Sequence, residues 1–451
     1  MEHYDVIYIG SGHAAWHGAL ILRMFNQRVA IIEKGLLGGT CTNYGCDAKI
    51  LLDSPFLLKE GLERYMGIGL NNKIDIDWNK LMHYKQEVIA ALPDGLSAIF
   101  DRFGIDLISG EGSFKNDHIV TVNGVDYSAK NFVIATGQRY MPLDIEGKEY
   151  THDSKDFLNL VDIPNHVTFI GAGIISMEFA SLCLSLGKKV DIIEVGNRAL
   201  NMYPEEYVNN IILKMKEQGA NFYFLHHVNK VERVRNSEYR IYLEEGEVIT
   251  TNYVVVAAGR EANIDGLGLD KLGIKYSPRG IKVDSHLRTN AKHIYASGDV
   301  VDKGVPKLTP TAEFESNYIA IDILLAFNKK IKYPVIPHLV FTLPRIGVVG
   351  VSIDEANKHP NKYRIERVKL GEMFAWLNKN EKDEEITYIF DKRSRLVGAS
   401  VYSDEAGSYL DILTIIINLK LDYTKLSGMI FSFPTQTYGL VSNLISLMLK
   451  K

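Results

Sequence analysis

Short apolar runs alternate with helical patterns in the first third of the chain. The first apolar run covers residues 6–9, and it is followed by a glycine turn, a helix of small residues and a second apolar run at 29–32. Uninterrupted apolar runs of this length, separated by helices, are typical of parallel strands that are buried on both faces. The pattern predicts an α/β fold in which successive strands are connected by helices.

The C-terminal part of the chain has a different pattern. Residues 385–390 and 396–402 alternate as strands do, and the apolar stretch 410–421 predicts a helix. This stretch contains Asp411 and Asn418 and is too short to span a bilayer, so we expect a buried helix. The last part of the chain is therefore predicted to form an α+β unit.

The strand–turn–helix–strand pattern of the N-terminus occurs a second time, 161 residues later (position 10 to position 171). The second copy runs from the strand at 167–170 to the strand at 190–194. The matching positions are Gly10 with Gly171, Gly12 with Gly173, and Glu33 with Glu194. A repeat of this kind indicates two copies of one supersecondary unit, and chance glycines in two ordinary turns would not reproduce its spacing.

Each copy has the features of a dinucleotide-binding βαβ unit. The first glycine permits the tight turn, and the second lets the backbone approach a pyrophosphate at the helix N-terminus. The acidic residue at the end of the second strand can accept hydrogen bonds from a ribose. The third glycine of the motif is replaced by Ala15, an accepted variant, and by Ser176, a mild departure. The sequence predicts two bound nucleotides.

Composition excludes several classes of function. The 451 residues predict two or three domains, and 46% hydrophobic with 24% charged residues is ordinary for a globular protein. A net charge of −4 without a basic cluster argues against a nucleic-acid partner. The first strand pattern begins within a few residues of Met1, which leaves no room for a signal peptide. We expect a cytoplasmic protein that does not bind a membrane.

Two of the three cysteines lie close together, which points to redox chemistry. Cys41 and Cys46 are separated by four residues next to a predicted helix start, where the helix N-terminus favours a thiolate. Such a pair can relay two electrons by thiol–disulfide exchange. A zinc site would need two more ligands at suitable spacing, and Cys183 lies far along the chain in a helix, where we expect a core residue. No metal site is predicted.

Further segments extend the pattern over nearly the whole chain. They are Gly38–Cys46 (GGTCTNYGC), Ile134–Gly137 (IATG), Ala258–Arg260 (AGR), Thr289–Asp299 (TNAKHIYASGD), Leu308–Pro310 (LTP), and Val340–Thr342 with Val348–Gly350. With the two glycine turns, they closely resemble the class I pyridine nucleotide–disulfide oxidoreductases, such as dihydrolipoamide dehydrogenase, glutathione reductase and mercuric reductase. The resemblance implies an enzyme with FAD, a nicotinamide cofactor and a redox-active disulfide.

The resemblance also implies a domain organisation. An FAD-binding domain would cover 1–148 and 265–332, an NAD(P)-binding domain 149–264, and a dimerisation/interface domain 333–451. Both nucleotide domains would be Rossmann-like, and the last domain would be α+β. Active sites of this family combine two subunits, so we expect a homodimer with a small oxidised molecule as substrate.

Roles for single residues follow from the resemblance. Cys46 would lie against the flavin as a thiolate, Cys41 would be the exposed thiol that attacks substrate, and Lys49 would lie near the flavin and pair with Glu178. The predicted cofactor-binding residues are Gly10, Gly12, Ala15, Glu33, Lys34, Gly39, Thr40, Thr136, Gly137, Gly171, Gly173, Glu194, Gly259, Arg260, Gly298, Asp299, Leu308 and Thr309. Glu194 would repel a 2′-phosphate, which favours NADH over NADPH, although Arg198 nearby could soften that preference.

The C-terminal segment departs from the family. Disulfide-reducing members carry a His-Pro-Thr segment followed by Glu, and that His is the general acid/base supplied by the partner subunit. Phe433 stands at the His position and Tyr438 at the Glu position, while Ala48 replaces a Pro that is usual after the second cysteine. The nearest histidine in the sequence is His359. Phe cannot carry a proton, and general base action is typically worth about 10²–10⁴-fold in rate.

Three interpretations of the acceptor stay open. The substrate could need little proton help, as a metal ion, a quinone, an oxidant or a disulfide with acidic leaving thiols would. Mercuric reductases also have Phe-Pro at this place, but this chain ends in Leu449-Lys450-Lys451 without their terminal cysteine pair. Alternatively, Tyr438 could replace the base for a small disulfide, or the pair could regulate an NADH oxidase or diaphorase. A flavoprotein with a regulatory role is the alternative outside enzymes.

Overall fold

The computed structural model describes residues 1–326 and 329–450. Its strands are β1 Glu2–Ile9, β2 Val29–Glu33, β3 Asp106–Ser109, β4 Gly112–Asn116, β5 Ile119–Val122, β6 Val125–Ile134, β7 Gln138–Tyr140, β8 His166–Ile170, β9 Lys189–Glu194, β10 Ala220–Phe224, β11 Val228–Arg235, β12 Glu238–Leu243, β13 Val248–Thr251, β14 Tyr253–Val256, β15 Arg260–Ala262, β16 Tyr276–Ser277, β17 Gly280–Ile281, β18 Ile294–Ala296, β19 His338–Val340, β20 Ile346–Gly350, β21 Tyr363–Lys369, β22 Glu385–Asp391 and β23 Leu396–Tyr402.

The α-helices are α1 His13–Met24, α2 Gly39–Tyr44, α3 Cys46–Glu63, α4 Trp78–Phe103, α5 Ser154–Phe157, α6 Ile174–Ser185, α7 Glu205–Glu217, α8 Thr309–Leu325, α9 Ile353–Lys358, α10 Phe374–Leu377, α11 Ala406–Asn418, α12 Tyr423–Ser427 and α13 Gln436–Leu449. Short 3-10 helices lie at Lys148–Tyr150, Leu269–Leu272, Gly298–Val300 and Leu370–Glu372. No helix within 1–326 or 329–450 is both long and apolar enough to cross a membrane.

Two parallel sheets contain the two copies of the repeat. The first has the order β3-β2-β1-β6-β5-β4 with β18 beside β6, and its strands β1, β2, β3, β6 and β18 run parallel. The second has the order β10-β9-β8-β14 and is parallel throughout. In both sheets the central strands are almost fully buried, as the uninterrupted apolar runs predict.

The two chain crossings between these sheets pair with each other. Strand β7 leaves the first sheet, β15 returns to it, and the two form an antiparallel ribbon in which Gln138 faces Ala262. Thr136 Oγ1 also donates to the carbonyl of Asn263 at 2.6 Å, and the Asn263 amide donates back to the Thr136 carbonyl at 2.9 Å. The connection between the two nucleotide units is therefore a paired, hydrogen-bonded element.

The C-terminal unit is a five-stranded antiparallel sheet with the order β19-β20-β23-β22-β21. Helices α11 and α13 bury one apolar face each in its core, through residues such as Leu413 and Leu444. The helix predicted at 410–421 begins earlier, at Ala406, and ends at Asn418, because Lys420 adopts a left-handed conformation with φ 51°. The predicted fold class, two parallel-sheet α/β units followed by an α+β unit, is confirmed.

Close packing of α1 against α8 brings distant parts of the chain together. Gly18 of α1 touches α8 so closely that a Cβ at this position would lie 2.5 Å from the Ser316 carbonyl oxygen. The Gly18 N–H also donates to Ser316 Oγ at 2.9 Å. Small residues on α1 are therefore needed for this approach, which places the first turn of α8 beside the first turns of α1.

Candidate active site

A single continuous cavity of about 1010 Å³ runs between the two parallel sheets. The predicted residues that line it are Gly10, Gly12, Glu33, Lys34, Gly39, Thr40, Cys41, Cys46, Lys49, Thr136, Gly137, Gly173, Glu178, Gly259, Arg260, Asp299, Leu308 and Thr309. Four predicted residues do not line it: Ala15, Gly171, Glu194 and Gly298. The cavity is the place where the glycine turns of both repeats meet the cysteine pair.

Three of these four positions are small residues with local roles. Ala15 is fully buried in the first turns of α1. Gly171 lies behind its turn, where a Cβ would be 2.6 Å from the Ala257 carbonyl oxygen. Gly298 has φ 77° and packs on Ala14, since a Cβ there would be 2.6 Å from the Ala14 Cβ. These small residues allow chain segments to approach one another behind the cavity.

The repeat extends to the hydrogen bonds of the two acidic residues. Glu33 Oε2 accepts from the Ser11 N–H at 2.9 Å and Oε1 from Gly35 at 2.8 Å. Glu194 repeats both bonds with Ala172 and Gly196, each at 2.7 Å. Each carboxylate is thus fixed at the end of its strand beside the glycine turn, with lone pairs left to accept a ribose hydroxyl.

The helices that follow the glycine turns suit two dinucleotides. Helix α1 begins after Gly12 and α6 after Gly173, and in the described part of the chain no side chain caps either N-terminus. A Cβ on Gly173 would meet no described atom within 4 Å, so the backbone there faces open space. Free N–H groups at a helix N-terminus bind phosphate. The residues present therefore fit FAD at the first turn and a nicotinamide dinucleotide at the second.

Other predicted cofactor residues form contacts that shape the cavity wall. Lys34 Nζ lies 2.7 Å from Glu111 Oε1, and Arg260 donates to the Gln138 carbonyl at 2.8 Å. Lys307 donates to the Asp299 carbonyl at 2.8 Å, and both residues line the cavity. Leu308 is the N-cap residue of α8 and Thr309 its first residue.

Cys41 and Cys46 lie on two helices that are separated by a glycine break. Cys41 belongs to α2, and Cys46 is the first residue of α3. Between them, a Cβ on Gly45 would lie 2.9 Å from the Thr40 carbonyl oxygen, so the chain can turn back on itself only with a small residue here. Thr309 Oγ1 donates to Cys41 Sγ at 3.2 Å and lies 3.5 Å from Cys46 Sγ. One hydroxyl from α8 therefore contacts both sulfurs.

The two thiols differ in their protonation. The Cys41 thiol donates to Cys46, and this hydrogen bond is the largest cause that lowers the pKa of Cys46 to about 6. Thr309 and Lys49 act in the same direction. The same bond and burial raise the pKa of Cys41. When the pair is reduced at neutral pH, Cys46 is the thiolate and Cys41 the thiol.

The solvent exposure of the two thiols contradicts the expectation that Cys41 is the exposed one. In the structure Cys41 is half-buried, and Cys46 is the more exposed of the two. Both line the cavity, so the exposure of Cys46 is toward the space between the nucleotide units. Exposure alone does not divide the roles of the two thiols; protonation and position on the helix do.

Cys183 is fully buried in α6, as expected for a core residue. Burial raises the pKa of its thiol to about 12, so it is inert at neutral pH.

The structure brings Lys49 and Glu178 together. Lys49 Nζ lies 3.0 and 2.9 Å from the two carboxylate oxygens of Glu178, and both side chains are largely buried. Glu178 Oε1 also accepts from the Phe341 N–H at 2.9 Å. Lys49 Nζ lies 3.8 Å from the centre of the Phe341 ring, a cation–π contact. Burial raises the pKa of Glu178, while Lys49 opposes the rise.

A second buried ion pair behind Lys49 was not predicted. Arg345 donates to Asp53 Oδ2 at 2.6 Å, with both side chains almost fully buried, and Arg345 lies 4.5 Å from the Phe341 ring centre. Asp53 is one turn after Lys49 on α3, so only its spacing from Lys49 hinted at this role. Sequence reasoning also missed Ser11, His13, Lys155 and Asn263, which line the cavity.

The segment that replaces the expected acid/base pair is exposed in this chain. Phe433 is 73% and Tyr438 41% exposed, and their rings pack edge to face with centroids 5.2 Å apart. Ala48, at the place of the usual proline, is fully buried in the first turn of α3.

Outside the cavity, one cluster of possible metal ligands occurs among the described residues. It consists of Asp117, His118 and His293, and its ligand atoms lie within 4.8 Å of one another. The two imidazole rings are stacked at 4.2 Å, and His293 contacts the Asp117 carbonyl. Stacked rings do not direct their lone pairs to a common point, so this surface cluster does not change the prediction of no metal site.

Two nucleotide-binding units that share a cavity with a dithiol define a flavin-dependent oxidoreductase. The chain matches the pyridine nucleotide-disulphide oxidoreductase family over residues 4–316 and the dimerisation domain of that family over residues 336–443. The chain belongs to this family, and the predicted family and enzyme class are confirmed.

Several relatives match along nearly the whole of this chain. Dihydrolipoyl dehydrogenase from Buchnera aphidicola subsp. Acyrthosiphon pisum is 32% identical over 446 residues, which cover 96% of this chain and 93% of that protein. Mercuric reductase from Bacillus cereus is 29% identical over 451 residues, which cover 97% of this chain and 70% of that protein.

Among solved structures, the HOCl-induced flavoprotein disulfide reductase RclA from Escherichia coli matches with a TM-score of 0.88 and 25% identity, covering 99% of this chain and 100% of that one. A Cu(II) complex of the same protein matches with a TM-score of 0.88.

Proposed function

We propose that this protein uses NADH to reduce a small oxidised acceptor through the Cys41–Cys46 pair. The observation that carries the proposal is the position of both sulfurs on the wall of the cavity that the two nucleotide units share, with Thr309 in contact with both. Bound FAD supplies the transfer of an electron pair from the nicotinamide to the protein disulfide.

The chain's own residues then divide the work between the two thiols. In the reduced pair Cys46 is the thiolate, because the hydrogen bond from Cys41 stabilises its negative charge, and it stays in the cavity while Cys41 reacts. For a disulfide acceptor, Cys41 loses its proton to solvent and attacks one sulfur of the acceptor. The acceptor S–S bond breaks, its other sulfur leaves as a thiolate, and a mixed disulfide with Cys41 forms. Cys46 then attacks the Cys41 sulfur, which restores the protein disulfide and releases the reduced product. Lys49 places a positive charge beside the Cys46 thiolate and is held by Glu178.

Two features support NADH over NADPH. Glu194 ends β9 with its carboxylate beside the second glycine turn, where it can bind a ribose 2′-hydroxyl and would repel a 2′-phosphate. Arg198, the nearby cation, donates to the Tyr203 carbonyl at 2.6 Å and lies 3.6 Å from Glu205. An arginine held by these partners is less available to bind a phosphate.

The family's domain arrangement supports the same assignment for the whole chain. We assign FAD binding to 1–148 and 265–332, NAD binding to 149–264 and dimerisation to 333–451. The dimerisation domain exposes apolar side chains, including Ile430 and Phe433, which a second copy would cover. A homodimer would place the 429–438 segment of one chain near the cysteine pair of the other.

A metal ion is the second candidate acceptor, and Phe433 is the observation that favours it. A metal ion held by thiolates accepts electrons without a proton donor, so it does not need the imidazole that this chain lacks. The relatives include mercuric reductases, and the RclA structure has been solved with Cu(II).

Anaerobic reduction by NADH tests the part of the proposal that is common to both candidate acceptors, the transfer of electrons from NADH through FAD to the cysteine pair. NADH should produce the long-wavelength band of a thiolate beside flavin, and Cys46→Ser should remove it. Direct bleaching of the flavin without such a band would indicate an oxidase, and absence of any reduction would indicate a regulatory flavoprotein.

A panel of disulfides, quinones and metal ions then identifies the acceptor. Cys41→Ser should abolish turnover with the physiological class, whereas Cys183→Ala, a change outside the cavity, should leave it unchanged. Equal turnover by the wild type and Cys41→Ser with every acceptor would contradict the proposed route.

A further inference from the structure

The ring of Phe341 contacts two buried cations at once. Phe341 directly follows β19 in the C-terminal unit, and the centre of its ring lies 3.8 Å from Lys49 Nζ and 4.5 Å from Arg345 Cζ. The face of an aromatic ring attracts a cation, and the attraction is stronger where water is excluded. Arg345 is almost fully buried, and Lys49 is largely buried. One ring therefore stabilises two cations that would otherwise only repel each other.

Each of the two cations also has a carboxylate of its own. Lys49 pairs with Glu178 at 3.0 and 2.9 Å, and Arg345 donates to Asp53 Oδ2 at 2.6 Å. The Phe341 N–H donates to Glu178 Oε1 at 2.9 Å, so this residue contacts the Lys49 pair through its backbone as well as its ring. These five residues form a buried cluster whose formal charges cancel, and we call it the two-cation cluster.

Three separate parts of the chain meet in the two-cation cluster. Helix α3 supplies the lysine and the aspartate, one turn apart, α6 supplies the glutamate, and the segment between β19 and β20 supplies the ring and the arginine. That segment is itself fixed, because Thr342 Oγ1 donates to the Pro344 carbonyl at 2.7 Å and the Ser403 N–H donates to the Arg345 carbonyl at 3.1 Å. Arg345 is therefore held at its backbone and at its guanidinium, and the ring packs against a fixed group.

The two-cation cluster acts on the cysteine pair through Lys49. The hydrogen bond from Cys41 is the largest cause that lowers the pKa of Cys46, and burial opposes it. Thr309 and the charge of Lys49 also lower this pKa, whereas the charge of Asp47 raises it. Of these groups only Lys49 belongs to the cluster, and it lies one turn after Cys46 on α3, where side chains three residues apart are neighbours.

Two carboxylates compete for the charge of Lys49. Burial raises the pKa of Asp53, Arg345 and Lys49 oppose the rise, and Asp404 adds to it. Burial also raises the pKa of Glu178, Lys49 opposes the rise, and Asp53 adds to it. Arg345 neutralises Asp53, which leaves Glu178 as the ion-pair partner of Lys49. The arginine therefore keeps the ammonium from being drawn along α3, away from the cysteine end of the helix.

Stability alone does not account for the pair of Asp53 and Arg345. Asp53 Oδ1 and Arg345 Nη1 are buried and have no hydrogen-bond partner among the residues of 1–326 and 329–450. Replacing a buried ion pair by apolar side chains of similar volume is often neutral or stabilising, so such a pair is weak evidence for a stabilising role. A pair with two unpaired polar atoms is better explained by the ring and the lysine that it holds in place.

Resting on the proposed function, we propose that Phe341, Arg345 and Asp53 are positioning residues that hold the Lys49 ammonium where it stabilises the Cys46 thiolate. Asp53 fixes Arg345, Arg345 fixes the ring, and the ring together with the Glu178 pair fixes the ammonium. The C-terminal unit thus acts on the cysteine pair of its own chain, apart from its role in dimerisation.

Phe341→Leu tests the ring. The variant keeps an apolar side chain and the backbone N–H that binds Glu178, but it removes the aromatic face, so Lys49 is held by its carboxylate alone. In FAD-loaded protein reduced with dithiothreitol, alkylation of Cys46 by iodoacetamide is followed against pH and located by tandem mass spectrometry. The midpoint should rise by roughly 0.5 pH unit or more, a part of the shift that a nearby opposite charge produces. Phe341→Tyr keeps the ring and should retain the wild-type midpoint.

Phe222→Leu is the matched control, because Phe222 is a half-buried ring 6.0 Å from Lys216 Nζ and lies outside the cavity. It should leave the Cys46 midpoint unchanged. The double variant Asp53→Asn with Arg345→Gln serves if Phe341→Leu does not fold, because it removes the buried pair without leaving an unpaired charge. It frees the ring, so the midpoint should rise in the same direction by a smaller amount.

Turnover gives a second readout, with NADH and 5,5′-dithiobis(2-nitrobenzoate), a disulfide with acidic leaving thiols. A raised midpoint leaves less Cys46 thiolate at low pH, so Phe341→Leu should lower kcat about twofold at pH 6 and leave the KM of the disulfide nearly unchanged. The loss should disappear at alkaline pH, where Cys46 is ionised in both proteins. A general loss of structure would lower kcat at every pH.

A wild-type midpoint in both Phe341→Leu and the double variant would overturn the inference. A shift in Phe341→Tyr or Phe222→Leu as large as that in Phe341→Leu would also overturn it, because the shift would then not depend on the ring beside Lys49. A shift in Phe341→Leu without one in the double variant would overturn the roles of Asp53 and Arg345. If the wild type turns over no acceptor, the proposed function fails, and the titration of Cys46 still decides the role of the ring.

Discussion

Lys49 Nζ is shared almost equally by the two carboxylate oxygens of Glu178, at 3.0 and 2.9 Å. The contact joins α3, which begins with Cys46, to α6, which begins at the second glycine turn. It therefore connects the cysteine pair with the second βαβ unit, and both side chains are largely buried. Removal of one partner leaves the other as an uncompensated buried charge, which leads to the first prediction.

Lys49→Met should destabilise the protein by about 3–5 kcal/mol, because it leaves the Glu178 carboxylate buried without its cation. In FAD-saturated protein we expect the Tm to fall by roughly 3–5 °C. Lys148→Met, which breaks an exposed ion pair with Asp144, is the matched control and should change stability by less than about 1 kcal/mol. A Tm of Lys49→Met equal to that of the control would show that the buried pair contributes little.

Cys46 should ionise near pH 6 in the reduced protein. Its pKa is lowered, first by the hydrogen bond from Cys41, so the thiolate is present above about pH 6 and is lost as pH falls through that value. Alkylation of the Cys46 peptide by iodoacetamide should follow this titration. Thr309→Val removes the hydroxyl that contacts both sulfurs and helps to lower the pKa of Cys46, so it should move the midpoint to higher pH.

Cys183 is the internal control for this titration. Burial raises the pKa of its thiol to about 12, so its peptide should stay unmodified from pH 5 to 9. A Cys46 midpoint near the ordinary thiol range would show that Cys41 does not stabilise the thiolate.

Disulfides with basic leaving thiols should be poor substrates. We expect turnover with lipoamide or glutathione disulfide to be about 10²-fold or more below that with 5,5′-dithiobis(2-nitrobenzoate), because Phe433 cannot protonate the leaving thiol. Phe433→His should raise turnover with lipoamide and leave that with the aromatic disulfide nearly unchanged. Lipoamide turnover by the wild type at the level of a His-containing relative would refute the argument from Phe433.

Glu194→Gln should relax the choice of nicotinamide cofactor. The variant keeps the shape of the side chain and removes the charge that repels a 2′-phosphate, so the ratio of kcat/KM for NADH to that for NADPH should fall about tenfold or more. Glu33→Gln, the same change in the first repeat, should lower FAD retention without altering this ratio. An identical ratio in the wild type and Glu194→Gln would show that other residues determine the choice between NADH and NADPH.

The exposed apolar segment at 429–433 should be covered by a second copy. Ile430 is fully exposed in the single chain, so Ile430→Asp should weaken the homodimer and shift the protein toward monomer in sedimentation velocity. Leu213→Asp, an equally apolar exposed position on α7 of the proposed NAD-binding domain, should leave the oligomeric state unchanged. A monomeric wild type would contradict the dimer.

Local patterns were enough to predict the two βαβ units and their glycine turns. Strand, turn and helix in each unit are adjacent in sequence, and the requirements at positions such as Gly10 and Gly12 are steric and repeat at a fixed spacing. The hydrogen bonds of Glu33 and Glu194 follow the same spacing, because each spans only about 22 residues within one unit. Fold class and family were therefore accessible from the chain alone.

Long-range contacts could not be predicted in this way. Thr309 reaches Cys41 across 268 residues and Arg345 reaches Asp53 across 292. Neither pair has a spacing rule, since the contact depends on how α8 and the C-terminal sheet pack against α3. Folding also placed Glu313 of α8 beside His17 of α1, because close packing at Gly18 brings α8 against α1. The cysteine pair can be recognised in the sequence, but the long-range contacts that act on its two thiols, such as that of Thr309, arise from packing between distant segments.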